Sequence, residues 1–147
     1  MLKHIPIFSI VVCGLIAGVS GCGNSQSPTF PVTGTVKFKD GKPVANGVIE
    51  FSQTGVQHPV TARGVLDSSG QYTLGTYTAG DGAMAGEYRV AVFPGSVVTT
   101  GAERPGEIEK LVMDPKFSDV DTSELTATVK EEPNDFPFTV DYAAEGN

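Results

Sequence analysis

The chain has no tryptophan and two cysteines in 147 residues, and both cysteines fall within the first 22 positions. Beyond them there is no thiol for a disulfide, a nucleophile or a metal. Histidine is almost as scarce, present as His4 and His58. A zinc peptidase centre needs several histidine and carboxylate ligands on one ion, so His58, beside Pro59, reads as a solvated loop side chain. Positive charge is short as well: 10 Lys and Arg stand against 17 Asp and Glu, a net charge of −7. That balance disfavours nucleic acid and gives no pull toward anionic headgroups. No apolar run reaches the ~20 residues of a membrane-spanning helix. The run over residues 5–19, interrupted by Ser9, stops at fifteen.

What is present begins with that run. Lys3 precedes it and small residues, Ser20 and Gly21, follow it, which is the three-part layout of a secretory signal. Val19-Ser20-Gly21-Cys22 resembles the lipobox read by bacterial lipoprotein maturation. The resemblance implies cleavage before Cys22, a diacylglycerol thioether on its sulfur and an amide-linked acyl chain on its new amino group. Several chains are needed for a stable anchor, because each buried methylene contributes only ~0.8 kcal/mol. The membrane is therefore the first expected partner, reached through the acyl chains on Cys22. Gly23 and Asn24 lack the aspartate that retains many lipoproteins in the inner membrane, which by resemblance favours the outer membrane or a periplasmic face of the envelope. Removing the first 21 residues leaves 126 and, with Lys3 gone, a net charge of −8. Residues 22–30 read as the lipidated Cys and a polar tether. Its eight residues after Cys22 reach at most about 28 Å.

With 18 Gly, 10 Pro and many Thr and Val, residues 31–143 point to turns and strands. Val32, Gly34, Val36 and Phe38 alternate with Thr33, Thr35, Lys37 and Lys39, the period-two pattern of a half-buried strand. Asp40-Gly41-Lys42-Pro43 is a turn, with Gly for φ > 0 and Pro to set φ. Strands are expected over 48–51, with Ile49 and Phe51 inward, over 60–66, and over 71–77, with Tyr72 and Leu74 inward. Asp67-Ser68-Ser69-Gly70 is the hairpin turn between the last two. After a Gly-rich loop at 79–86, residues 87–93 form the clearest strand, with Tyr88, Val90 and Val92 toward the core. Residues 94–121 read as a long polar loop with room for one short helical turn at 107–113. Residues 125–129 alternate again, and a last strand turns Phe136, Phe138 and Val140 inward. Pro137 cannot donate to a ladder, so that strand belongs at an edge or is bulged. Residues 144–147 are a tail, and the chain after Tyr142 is expected to fray. Seven short strands without an amphipathic helix predict an all-β fold, a seven-stranded Greek-key β-sandwich.

Three stretches together, residues 32–51, Asp67-Ser-Ser-Gly-Gln-Tyr-Thr-Leu74 and Gly86-Glu-Tyr-Arg-Val-Ala-Val92, resemble the carboxypeptidase regulatory-like, transthyretin-like β-sandwich domains. Residues 122–131 with Asn134-Asp-Phe136 are similar to the ends of small planctomycete-type lipoproteins. The shared motifs are turns and core positions, so they speak to fold and not to activity. The resemblance implies a non-catalytic module, expected to act as a structural or protein-interaction element with an envelope protein as candidate partner. The hydroxyisourate hydrolases that share the fold use several His and Arg residues for which this chain has no matching set.

Other chemistry is thinly represented, and no cofactor is expected. Asp81, or Asp119-Val120-Asp121 near Asp114, offers oxygen ligands to calcium without the spacing of an EF-hand. Tyr77 and Phe93 could form a carbohydrate platform. These residues define the alternative expectation, a calcium- or glycan-binding module using loops 79–86 and 94–121.

Overall fold

The computed structural model describes residues 26–95, 98–100 and 109–144, with the backbone alone at 98–100 and 109–111. Among them the protein is nearly all β, in two four-stranded sheets and one two-stranded sheet. β1 (Val32–Phe38) is the axis of the first sheet. Its alternating residues bury Val32, Val36 and Phe38 and leave Thr33 and Lys37 outside, as the period-two pattern requires. It pairs antiparallel with β4 (Gln71–Thr73) on one side. On the other it pairs parallel with β9 (Asn134–Asp135) and β10 (Phe138–Val140). The second sheet is antiparallel throughout, in the order β3 (Thr61–Val65), β2 (Val48–Gln53), β5 (Gly86–Phe93), β8 (Leu125–Val129). β6 (Val98–Thr100) and β7 (Glu109–Leu111) form a separate hairpin.

The inward faces of the two sheets meet in one apolar core. Phe51, on β2, is its hub: the rings of Tyr72, Tyr88, Phe136 and Phe138 lie 6.2, 5.9, 6.0 and 5.9 Å from its own. These contacts draw on both sheets, so a single buried ring ties the layers together at the tilted geometry aromatic pairs prefer.

The structure departs from the sequence reading in four places. The strand expected over 71–77 ends at Thr73, because Gly75 leaves β4 to bond Arg63 through paired backbone bonds of 2.9 and 2.8 Å. The last strand starts earlier, at Asn134, and is broken at Phe136 and Pro137. Asn134 and Phe136 donate to the carbonyls of Pro31 and Thr33, so strand alternation directs the nitrogen of Pro137 away from β1, where no donor is needed. The stretch 94–121, expected to be one long polar loop, contains strands β6 and β7, and β7 occupies the centre of 107–113, where there was room for a helical turn. Helix occurs at Pro115–Ser118 as a 3₁₀ turn, where Asp114 accepts from the Lys116 amide. Finally, the chain past Tyr142 does not fray at once. The Ala143 amide bonds the Val112 carbonyl, and the Tyr142 ring stacks on Phe38 at 4.1 Å.

Candidate functional site

An open groove of about 860 Å³ lies where β3 runs against β4. Its origin is a close approach of two backbones. A Cβ at Gly64 would meet the Thr73 carbonyl oxygen at 2.8 Å, so a residue without a side chain lets β3 cross there. One wall is the outer face of the first sheet. Asp135, Thr33 and Thr73 lie in one cross-strand row, and Thr35 and Gln71 form the next. The facing wall is Arg63, Val65 and Val48, with the Arg63 guanidinium held by Glu50 at 2.9 Å. Three hydroxyls, one amide and one carboxylate on a rigid pleat offer alternating donors and acceptors to a polar, extended ligand. The lining contains no histidine or cysteine.

Val65, Val48 and Phe93 continue from the groove as one row across β3, β2 and β5. They are 73%, 36% and 40% exposed, an apolar strip on the outside of the second sheet.

The interior offers no such opportunity. The Tyr72 hydroxyl donates to the Phe136 carbonyl at 2.8 Å, and the Tyr88 hydroxyl to the Met84 carbonyl at 2.9 Å. Burial raises the pKa of Tyr72, with the Asp135 charge adding to it; burial also pushes Tyr88 up to about 12. Among the described residues no buried side-chain nitrogen or oxygen lacks a partner.

The residues singled out from the sequence are dispersed. Val19, Ser20, Gly21 and Cys22 lie outside the described residues. Asp81 spans the amides of Thr76, Tyr77 and Thr78 at 2.7, 3.1 and 2.9 Å. Burial works to raise its pKa, but the donors of Thr76, Thr78 and Tyr77 outweigh it and hold the carboxyl below its ordinary value. Its oxygens therefore serve the loop itself. Asp119 accepts from the Asp121 amide, and Asp121 pairs with Arg89. Among the described residues, no three His, Cys, Asp or Glu side chains gather to hold a metal ion. His58 is exposed in the β2–β3 loop. Tyr77 touches the Met84 sulfur just before β5 begins, whereas Phe93 ends that strand. Seven residue steps at ~3.3 Å separate the ends of β5 by about 23 Å, so the two aromatics do not form one platform. Sequence reading missed the groove because it depends on the register of Thr33 opposite Thr73. The outward polar phase of β1 was its one visible trace.

No family model and no curated protein matches the chain. Among solved structures, a 9R-lipoxygenase from Cyanothece PCC8801 is similar at a TM-score of 0.41 and 17% identity. The match covers 78% of this chain and 17% of the lipoxygenase, too distant and too small a share of that enzyme to bear on function. No helix among the described residues is long and apolar enough to cross a membrane.

Proposed function

We propose that the chain is an envelope lipoprotein: a seven-stranded, Greek-key, transthyretin-like sandwich held at a membrane by acyl chains on Cys22 and acting as a non-catalytic structural or protein-interaction module. The observation that carries this reading is the Val19-Ser20-Gly21-Cys22 sequence at the end of the apolar run. The position of the folded body supports it, since Phe30 already bonds Ala83 in both directions. Only a short tether separates that bond from Cys22. Counting β9 and β10 as one interrupted strand, the two sheets contain seven strands, the number the transthyretin-like reading expects. Mass spectrometry of the native polypeptide tests the anchor: a diacylated or triacylated Cys22 terminus is expected, and an unmodified terminus overturns it.

A second reading, the ligand-binding module, is favoured by one observation. Ala79 and Gly80 of the 79–86 loop line the hydroxyl-rich groove, which suits a glycan. Calorimetry against a glycan panel, with calcium as a separate titrant, distinguishes this reading, and saturable heat abolished by Thr33→Val with Thr73→Val supports it.

A further inference from the structure

The open edge of the second sheet has a defined length. The Thr54 amide bonds the Glu87 carbonyl at 2.8 Å, which turns the odd-numbered residues of β5 toward β2. The even-numbered residues face the other way, as the carbonyls of Val90 and Val92 show by accepting from Ser123 and Ser118. In the register Gly86↔Val129, Tyr88↔Ala127, Val90↔Leu125, the backbone groups of Leu125, Ala127 and Val129 therefore point at β5. Those of Thr126 and Thr128 point outward. Among the described residues, no strand pairs with that side of β8. The next outward residue, Lys130, is closed off by Asn134, whose side chain accepts from the Lys130 amide at 3.0 Å and donates to its carbonyl at 3.1 Å. At the opposite end Glu124, with φ of 59°, turns the chain out of the strand.

The edges at β3 and at β9–β10 are blunted. Arg63 of β3 is bonded to Gly75. Pro137 interrupts β9 and β10, and the stretch after β10 is covered where Asp114 and Val112 bond Asp141 and Ala143. β8 has no proline, no glycine and no charge within Leu-Thr-Ala-Thr-Val, which leaves it the natural edge for pairing.

Residues 124–130 read Glu-Leu-Thr-Ala-Thr-Val-Lys, and the stretch is complementary to itself in reverse. We propose that two copies of the chain pair antiparallel along β8, about a two-fold axis through Ala127. Thr126 then opposes the partner's Thr128, and both present free amides and carbonyls. Leu125 opposes the partner's Val129, and Glu124 opposes the partner's Lys130. The outward phase of Thr126 and Thr128 is the phase that makes them hydrogen-bonded pairs, with Ala127 a narrow non-bonded pair on the axis. A one-residue slip sets bonded against non-bonded positions and removes the ladder. A two-residue slip removes the Glu–Lys pairing at both ends. The fit between phase, apolar pairing and charge is what selects a second copy as the occupant. The second sheets of the two copies, four strands each, become one continuous sheet, a closed isologous contact. This pairing deepens the interaction-module reading by naming its partner, and it does not depend on the anchor.

Sedimentation velocity of the full chain in density-matched detergent, at increasing protein concentration, tests the pairing. A reversible dimer is expected. Glu124→Lys and Lys130→Glu should each raise its dissociation constant about tenfold, because two symmetry-related attractions become repulsions. The combined reversal should restore it to within about twofold. Thr128→Pro deletes an amide that faces outward and takes part in no bond to β5, so a monomer with an unchanged circular dichroism spectrum is expected. Should that variant misfold, the charge cycle decides alone. A monomer at every concentration, or a dimer indifferent to both charge reversals, overturns the proposal. Cys22→Ala should still dimerise, so loss of anchoring and loss of pairing are read separately.

Discussion

Gly34 shows how little freedom a single position has in this core. A Cβ there would meet the Phe136 carbonyl oxygen at 2.1 Å and the Tyr72 hydroxyl at 2.6 Å. The hydroxyl of Tyr72 crosses the bare backbone of β1 to reach that carbonyl, and the missing side chain makes the bond possible. Tyr72→Phe should therefore lower the unfolding free energy by about 1–3 kcal/mol, the cost of leaving a buried carbonyl without its donor, measured by urea unfolding. Phe51→Ala should cost more, about 3–5 kcal/mol, since it empties the point where four other rings converge. Titration gives a third outcome. Tyr72 and Tyr88 have folded pKa values above the unfolded value near 10. The folded state thus holds protons that the unfolded chain releases, and stability present below pH 10 should fall as pH rises toward 12 and beyond. Asp40, Asp67 and Asp81 behave oppositely. Their pKa values are lowered, so the stability they contribute above pH 4 should drain away on further acidification. Melting temperature across a pH series checks both limits, and a flat profile above pH 10 would contradict the tyrosine assignment.

At the scale of elements, turns and edges are set by side chains that stand in for backbone. Asp67 accepts from the Ser69 hydroxyl and from the Gln71 and Ser69 amides, which fixes the turn between β3 and β4, and Gly70 completes it at a φ of 74°. Asp81 does the same for the loop before β5. Asn134 acts across a longer distance, as an artificial strand partner for Lys130. Asn134→Ala should leave the core intact yet speed hydrogen exchange of the Lys130 amide by tenfold or more, since one bond is all that protects it. Unchanged exchange at Lys130 would show that something else closes the edge. The turns at 40–43 and 67–70 and the inward phases of β1, β2 and β5 were legible from the sequence, because each depends on residues only a few positions apart. The truncation of β4 at Thr73 was not, since it is imposed by Arg63 pairing with Gly75 across the corner. Nor was the β6–β7 hairpin visible, because Val98-Thr-Thr and Glu109-Lys-Leu are too short to show a period.

For the molecule as a whole, the proposed address and the folded body occupy separate stretches of the chain. Cys22→Ala should release the protein from the membrane fraction while leaving its melting temperature unchanged, because the described fold begins after that residue and uses no thiol; persistent membrane partition would argue against a lipid anchor. The proposed address is local information, a run of adjacent residues that a maturation enzyme would read before any folding. The β-rich class and its buried face were determined by the sequence, since alternation along a strand states which side chains must leave water. What the tertiary structure alone decided is which strands stand next to each other, and from that the groove between β3 and β4, the fate of each loop carboxylate and the open edge of β8. Such features depend on registers between residues that are distant in sequence, Thr33 with Thr73 or Tyr88 with Ala127. The energy that selects a register is the summed packing of two whole faces, a quantity that no short stretch of chain contains.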